Sequence, residues 1–224
     1  MIKTKALTLP MITLVLAGLL IILYSLGLTQ RLDYLLLDGF FRLRGPSENV
    51  QDIVIVAIDE AFVKEYPFRI GELDRGFYAK ALEHLSQAGA KVIGVDLFFP
   101  ERSRTGVSST RDPDTELAQA LATSNVVLPT LRNPDGSLLP AHPWLKDIRL
   151  GVLTLEESAH QLTPTVSWQG QVLPSFSLAI VQAIQEQATQ ETSRLSSAKR
   201  LIDFRGPPGQ FTILSFLDVY RNQF

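Results

Sequence analysis

Cysteine is absent from this 224-residue chain, which excludes disulfides, thiolate metal sites and cysteine nucleophiles without placing the protein in any compartment. Histidine is nearly as scarce. His84, His142 and His160 stand far apart with no HxxxH-type pairing, so a histidine-based metal site is not expected. No Gly-rich phosphate loop with its lysine occurs, and the nearest glycine-containing turn, RIGELDRG, lacks that spacing. There is no G-x-S-x-G elbow to expose a serine nucleophile. Positive charge is not in excess: 21 Lys and Arg against 23 Asp and Glu leave a net charge of −2, which offers nucleic acid no basic field. The expectation is a chain with no catalytic residues, no metal site, no cofactor and no nucleic-acid partner.

What the chain has in quantity is apolar residues, 46% of the total, and their distribution is uneven. Lys3 and Lys5 precede an uncharged stretch over residues 6–30. Its heart, MITLVLAGLLIILYSLGL, holds eleven Leu, Ile or Val residues. That length of apolar helix spans about 30 Å of hydrocarbon. Two lysines and the amino group lie before the run, whereas Arg31 and Asp33 nearly cancel after it. The positive-inside rule then puts residues 1–8 in the cytoplasm, residues 9–30 in the lipid bilayer as a signal anchor, and residues 31–224 outside. A cleaved signal peptide is the rival reading, but no small-x-small site follows, and Tyr24, Leu26 and Leu28 occupy the region where cleavage would fall. A buried core helix is disfavoured because the run has no polar face.

Beyond the anchor, Leu32, Leu35, Leu36, Gly39, Phe40 and Leu43 recur at helical spacing, predicting a juxtamembrane helix that Gly45-Pro46 ends. Residues 53–58 form an apolar run rich in Ile and Val, of the kind buried on both faces of a parallel sheet. A helix is expected over residues 74–87 with Asp74 as N-cap, then a second buried strand over residues 91–96, the two strands forming an adjacent parallel βαβ pair. Asp112-Pro113 opens a helix to residue 123, and NVVLPT (residues 125–130) gives a third strand. Further on, TVSWQGQVLP (residues 165–174) reads as a hairpin turning at Gln169-Gly170, residues 175–190 as a helix, residues 200–206 as a strand, and SFLD (residues 215–218) as a helix start. The alternation predicts an α/β layered domain with a mostly parallel sheet, preceded by one transmembrane helix. A helix begun this close to residue 224 leads to the expectation that the domain is truncated at its C-terminal end.

Two strands end in acids: IVIVAIDE in Asp59-Glu60, and KVIGVDLFFPE in Asp96. The carboxyl edge of an open parallel sheet is where ligands bind, so adjacent strands would bring Asp59 and Asp96 into one acidic pocket. The competing reading has these acids cap the turns after their strands or pair with Arg69 or Arg75. His84, between Glu83 and Leu85, is expected on the solvated side of its helix. Trp144 and Trp168 are expected as core or interface anchors. RGPPG (residues 205–209) is read as a rigid loop, with anion binding by its amides as the alternative.

Five blocks in order, LLLDGFFRLRGP, QDIVIVAIDE, YPF with RGFYAKALEHLSQAGAKVIGVDLFFPE, DTELAQALATSNVVLP, and PSFSLAI with LIDFRGPPGQF, resemble the type-two CHASE domain (cyclases/histidine kinases associated sensory extracellular). The resemblance runs from about residue 35 to the end. It implies the extracytoplasmic sensor of a bacterial membrane signal transducer, homodimeric, responding to a small-molecule or protein stimulus. The output domain it implies is an adenylate, guanylate or diguanylate cyclase, or a histidine or Ser/Thr kinase, and lies outside this chain. An anchored enzyme or a non-sensing scaffold is the alternative. Tyr66-Pro67-Phe68 stands where the family has a W-P-W-x-R-like segment, with Arg75 as the best match to its arginine. Asp59, Arg75 and Asp96 are therefore the candidate ligand-binding residues. The family's D-x-D-G-x-x-R segment is absent; Gly151 is followed instead by VLTLEESAHQLTPTVSW.

Overall fold

The computed structural model describes residues 3–47, 52–67, 73–99, 112–133, 135, 137–138, 148–153, 159–185 and 198–224, with side chains from Pro10 onward. The expectations for Arg69, His142, Trp144, the 100–111 loop and the helix tail beyond residue 185 fall outside these residues. The chain divides into two units: residues 1–50 with 203–210, and residues 51–202 with 211–224.

The first unit holds helices α1 (Lys3–Ser25) and α2 (Leu28–Arg44). Gly27 separates them at φ 67°, a left-handed conformation that glycine adopts without a Cβ penalty. The single anchor helix expected over residues 9–30 is thus divided. Among the described residues no single helix is long and apolar enough to cross a membrane; Pro10–Ser25 and Leu28–Arg44 qualify only together, bent by 74°. Helix α2 stops at Gly45, as Gly45-Pro46 predicts. The RGPPG loop is fastened beside it: Ser47 N–H donates to the Arg205 carbonyl at 2.7 Å, and Arg44 holds Asp203 at 2.5 Å.

The second unit is α/β. Its elements are β1 (Val54–Ala57), α3 (Glu60–Glu65), α4 (Arg75–Gln87), β2 (Ile93–Gly94), α5 (Pro113–Thr123), β3 (Val126–Leu131), β4 (Arg149–Leu153), β5 (Gln161–Leu162), β6 (Thr165–Trp168), β7 (Gln171–Pro174), α6 (Phe176–Ile184), β8 (Arg200–Leu201), β9 (Thr212–Ser215) and α7 (Phe216–Arg221). Parallel pairing makes one sheet of order β2-β3-β4 and another of β1-β9. Antiparallel pairing makes two ribbons, β5-β8 and β6-β7.

Strand β3 shows why these layers form. Val126 and Leu128 pack with Ala79 and Leu82 of α4 and Leu117, Ala120 and Leu121 of α5, while Val127 packs with Ala179 and Ala183 of α6. A strand covered on both faces must be apolar at odd and even positions alike, and VVL is. Asn125, just before it, donates its side-chain amide to the Lys91 carbonyl at 2.8 Å and the Ala183 carbonyl at 3.1 Å, tying the start of β2 to the end of α6.

The approach of α6 to the sheet depends on glycine. A Cβ on Gly151 of β4 would lie 2.5 Å from the Phe176 Cα and 2.9 Å from the Ala179 Cβ, so backbone would have to move. Gly151→Ala is expected to destabilise the chain by about 1–3 kcal/mol through overpacking, read as a drop in denaturation midpoint. An unchanged midpoint would show that α6 shifts freely.

The hairpin forms as expected. Gln169 (φ 46°) and Gly170 (φ 79°) supply the two positive φ values of a type I′ turn. The expected βαβ neighbours do not pair. Strand β1 lies beside β9, and β2 beside β3. Nor is β1 buried on both faces: Ile53, Val54 and Ile55 are 52%, 48% and 44% exposed, and only Val56 and Leu214 join the helices over it.

Candidate functional site

Three residues are expected to bind a ligand, and the fold gives each a different local setting. Asp59 ends β1 and is the N-cap of α3. Its Oδ1 accepts from Phe62 N–H at 3.1 Å and from the Ser215 hydroxyl at 3.0 Å. Ser215 in turn caps α7, its oxygen accepting from Leu217 N–H at 3.2 Å. One carboxylate therefore links the ends of two paired strands to the starts of two helices. The Phe62 amide is the main reason the Asp59 carboxyl sits below its ordinary value of 3.8; the Ser215 hydroxyl adds to the effect, and partial desolvation opposes it.

A depressed folded-state pKa contributes stability that is present above the unfolded value and lost as pH falls through the folded one. Asp59→Asn keeps a good cap and removes the ionisation, so it is expected to cost little at pH 7 and to flatten the stability loss below about pH 4. Asp59→Ala is expected to destabilise at pH 7 as well. Thermal melts at pH 3, 5 and 7 separate the two. Equal melting points for wild type and Asp59→Ala at pH 7 would remove the capping role.

Arg75, the first residue of α4, is buried, 8% exposed. It forms an ion pair with Asp114 near the start of α5, and both side chains lie out of water. Its guanidinium also lies over the Phe99 ring, 5.5 Å from the centroid, with Tyr78 edge-on to that ring at 5.7 Å. Burial pushes the Tyr78 hydroxyl pKa up, and the Arg75 charge moderates the rise. The pair is assembled by two caps: Asp74 accepts from Gly76 N–H at 2.8 Å, and Asp112 accepts from the Thr115 hydroxyl at 2.9 Å, so the first turns of α4 and α5 meet. Arg75 is thus committed to a partner inside the fold. Asp114 is not among the residues expected from the sequence, because Asp-Pro-Asp reads as a helix start; an acid beside a capped helix entry is the available signal.

Asp96 follows β2 and is exposed, with no hydrogen bond or ion pair to another described residue. Strands β1 and β2 pair with β9 and β3 respectively, so the hydrogen-bonded adjacency from which a shared Asp59–Asp96 pocket is expected is absent among the described residues. His84 is also placed differently. It is half-buried, and its Nδ1 lies 2.8 Å from the Val219 carbonyl, joining α4 to α7 instead of facing solvent. Among the described residues no group of three or more His, Asp or Glu residues converges to hold a metal ion.

Parallel strands between helices, with Asp59 capping a helix after its strand and Arg75 paired with Asp114, define a layered α/β domain. A sequence model of the CHASE2 domain matches residues 13–224, and the chain belongs to the CHASE2 domain family. CHASE2 domains are sensory extracellular domains of signalling proteins. No curated protein and no solved structure matches the chain.

Proposed function

We propose that residues 31–224 are the extracytoplasmic input region of a bacterial membrane signal transducer, anchored through residues 9–30. The observation that carries this reading is the family match across residues 13–224, which includes most of the apolar amino-terminal run as well as the α/β unit. The stimulus is a small molecule or a protein. The output is a cyclase or a histidine or Ser/Thr kinase beyond these residues, and two copies of the chain act together. A ligand that binds one arrangement of the α/β unit more tightly than another shifts the population toward it, and that shift is the signal. This chain is the receiving part and performs no turnover itself.

Of the three candidate residues, Asp96 is the one whose carboxylate is still available to a ligand. It lies beyond the carboxyl end of β2 in a three-stranded parallel sheet, the edge where such sheets take ligands.

The test is a thermal-shift screen of small molecules on the chain, followed by an output assay on the full-length transducer. A compound that raises the melting temperature is expected to change output, and Asp96→Asn is expected to weaken its binding while leaving the unliganded melting point unchanged. Stabilising compounds that never alter output at saturation would contradict the sensor reading. Substrate turnover lost in Asp96→Asn at unchanged stability would favour an anchored enzyme.

A further inference from the structure

Helix α2 has two faces, and one of them is occupied within its own unit. Phe41 meets Phe204 edge-on at 5.6 Å, and Arg44 binds Asp203. The opposite face carries Leu32, Leu35, Leu36, Phe40 and Leu43, exposed by 58%, 67%, 61%, 64% and 85%. At 3.6 residues per turn these side chains cover an arc about 140° wide that contains no charge. Arg31 and Arg42 border the arc on one side, Asp33 and Arg44 on the other.

Three occupants are conceivable, and the geometry separates them. A two-stranded helical seam needs only a narrow a/d stripe, and this arc is wider. Passage through hydrocarbon is opposed by Arg31, Asp33, Asp38, Arg42 and Arg44, five charges in a 17-residue helix. A membrane surface fits: a wide leucine and phenylalanine face bordered by arginines on a helix of low net hydrophobicity is the pattern of an in-plane helix. The corner supplies the orientation. Left-handed Gly27 turns α2 by 74° from the apolar part of α1, so an α1 that crosses the bilayer sends α2 most of the way into the membrane plane. Helix α1 carries exposed apolar surface of its own, where Leu14, Val15, Leu20 and Ile21 are 61–76% exposed.

We propose that α2 lies along the outer membrane–water interface, with its leucine face in the lipid headgroup–acyl boundary and its arginines at headgroup level. This rests on the reading that α1 crosses the bilayer, and it adds a second lipid contact that begins just past the corner at Gly27.

The absence of cysteine allows clean single-site spin labelling of the full chain in phosphatidylcholine–phosphatidylglycerol vesicles. Nitroxides are placed through Leu32→Cys, Leu36→Cys and Leu43→Cys on the arc, Gln30→Cys on the opposite face, and Leu14→Cys and Leu20→Cys in α1. Accessibility to oxygen, which concentrates in lipid, is compared with accessibility to a water-soluble nickel complex. The expected result is one common shallow depth for the three arc sites, an oxygen-to-nickel ratio several-fold above that at Gln30, and greater depth at Leu14 and Leu20. Nickel access at the arc sites with deep α1 sites overturns the in-plane helix and leaves the α1 span standing. Depth rising steadily from Leu32 to Leu43 overturns it in favour of a broken span. Protection from both reagents with dipolar broadening between labels overturns it in favour of a second copy. Water-exposed Leu14 and Leu20 remove both readings.

Discussion

Asp114→Ala is expected to lower the stability of the chain by about 3–5 kcal/mol, because it leaves the Arg75 charge buried without its partner. For a chain of this size that corresponds to a fall in melting temperature of about 6–20 °C. The reasoning turns on burial. The Arg75 and Asp114 side chains are 9% and 5% exposed, so neither regains full hydration when the other is removed. The effect should be largely absent when both charges go together. Arg75→Met with Asp114→Leu is expected to recover most of the loss, since a buried ion pair and an apolar pair of similar volume are close in free energy. The double-mutant cycle therefore distinguishes a lost pair from a packing defect. A change below about 1 kcal/mol in Asp114→Ala would mean that Arg75 is free of Asp114 in the unliganded protein. It would then return to the ligand-binding candidates.

Phe62→Ala is the second large effect, again about 3–5 kcal/mol, measured by chemical denaturation. Phe62 is fully buried on α3, with ring centroids 4.8 Å from Phe216, 5.3 Å from Tyr66 and 5.5 Å from Phe77. Its removal takes a shared neighbour from α3, α4 and α7 at once, and the edge-on geometry with Phe216 and Phe77 adds to the lost burial. Tyr220 closes the far side of the cluster, 4.8 Å from Phe77 and 5.8 Å from Tyr66, so the cavity has little room to collapse. Phe62→Leu is expected to cost less because it refills part of the volume. A loss below about 1 kcal/mol for Phe62→Ala would show that the cluster relaxes around the gap.

Local chemistry made much of the fold legible in the sequence. Asp74, Asp112, Ser175 and Ser215 each cap the helix their positions predict, and Gln169-Gly170 makes the turn it predicts. Pairing between distant segments was less legible. Strand β9 falls between the expected loop at residues 205–209 and the expected helix start at Ser215, yet it is the partner of β1, 156 residues away at the Asp59–Ser215 contact. Nothing local in TILS announces that register, because a parallel ladder is set by what lies across it. Strand β4 was missed for a similar reason. Its glycine weakens the strand pattern and is there to admit Phe176 and Ala179.

The candidate site was legible as residues and not as geometry. Asp59 and Asp96 do follow strands, but the assumption that successive strands are hydrogen-bonded neighbours does not hold, since β1 pairs with β9 and β2 with β3. Arg75 is expected to bind a ligand and is instead found in a buried ion pair with Asp114. That aspartate lies 39 positions later, and an acid beside a capped helix entry is too local a signal to name the pairing. The division at Gly27 could be anticipated only from one glycine inside an apolar run, a weak signal where glycine is common.

The central claim is that the CHASE2 unit faces outward while the amino terminus stays inside. The measurement that tests it most directly is labelling of single introduced cysteines by a membrane-impermeant maleimide in intact bacterial cells expressing the chain. Ser86→Cys, at the exposed end of α4, is expected to label without permeabilisation, and Lys5→Cys only after it. Labelling of Ser86→Cys only after permeabilisation would place the α/β unit in the cytoplasm and contradict the account.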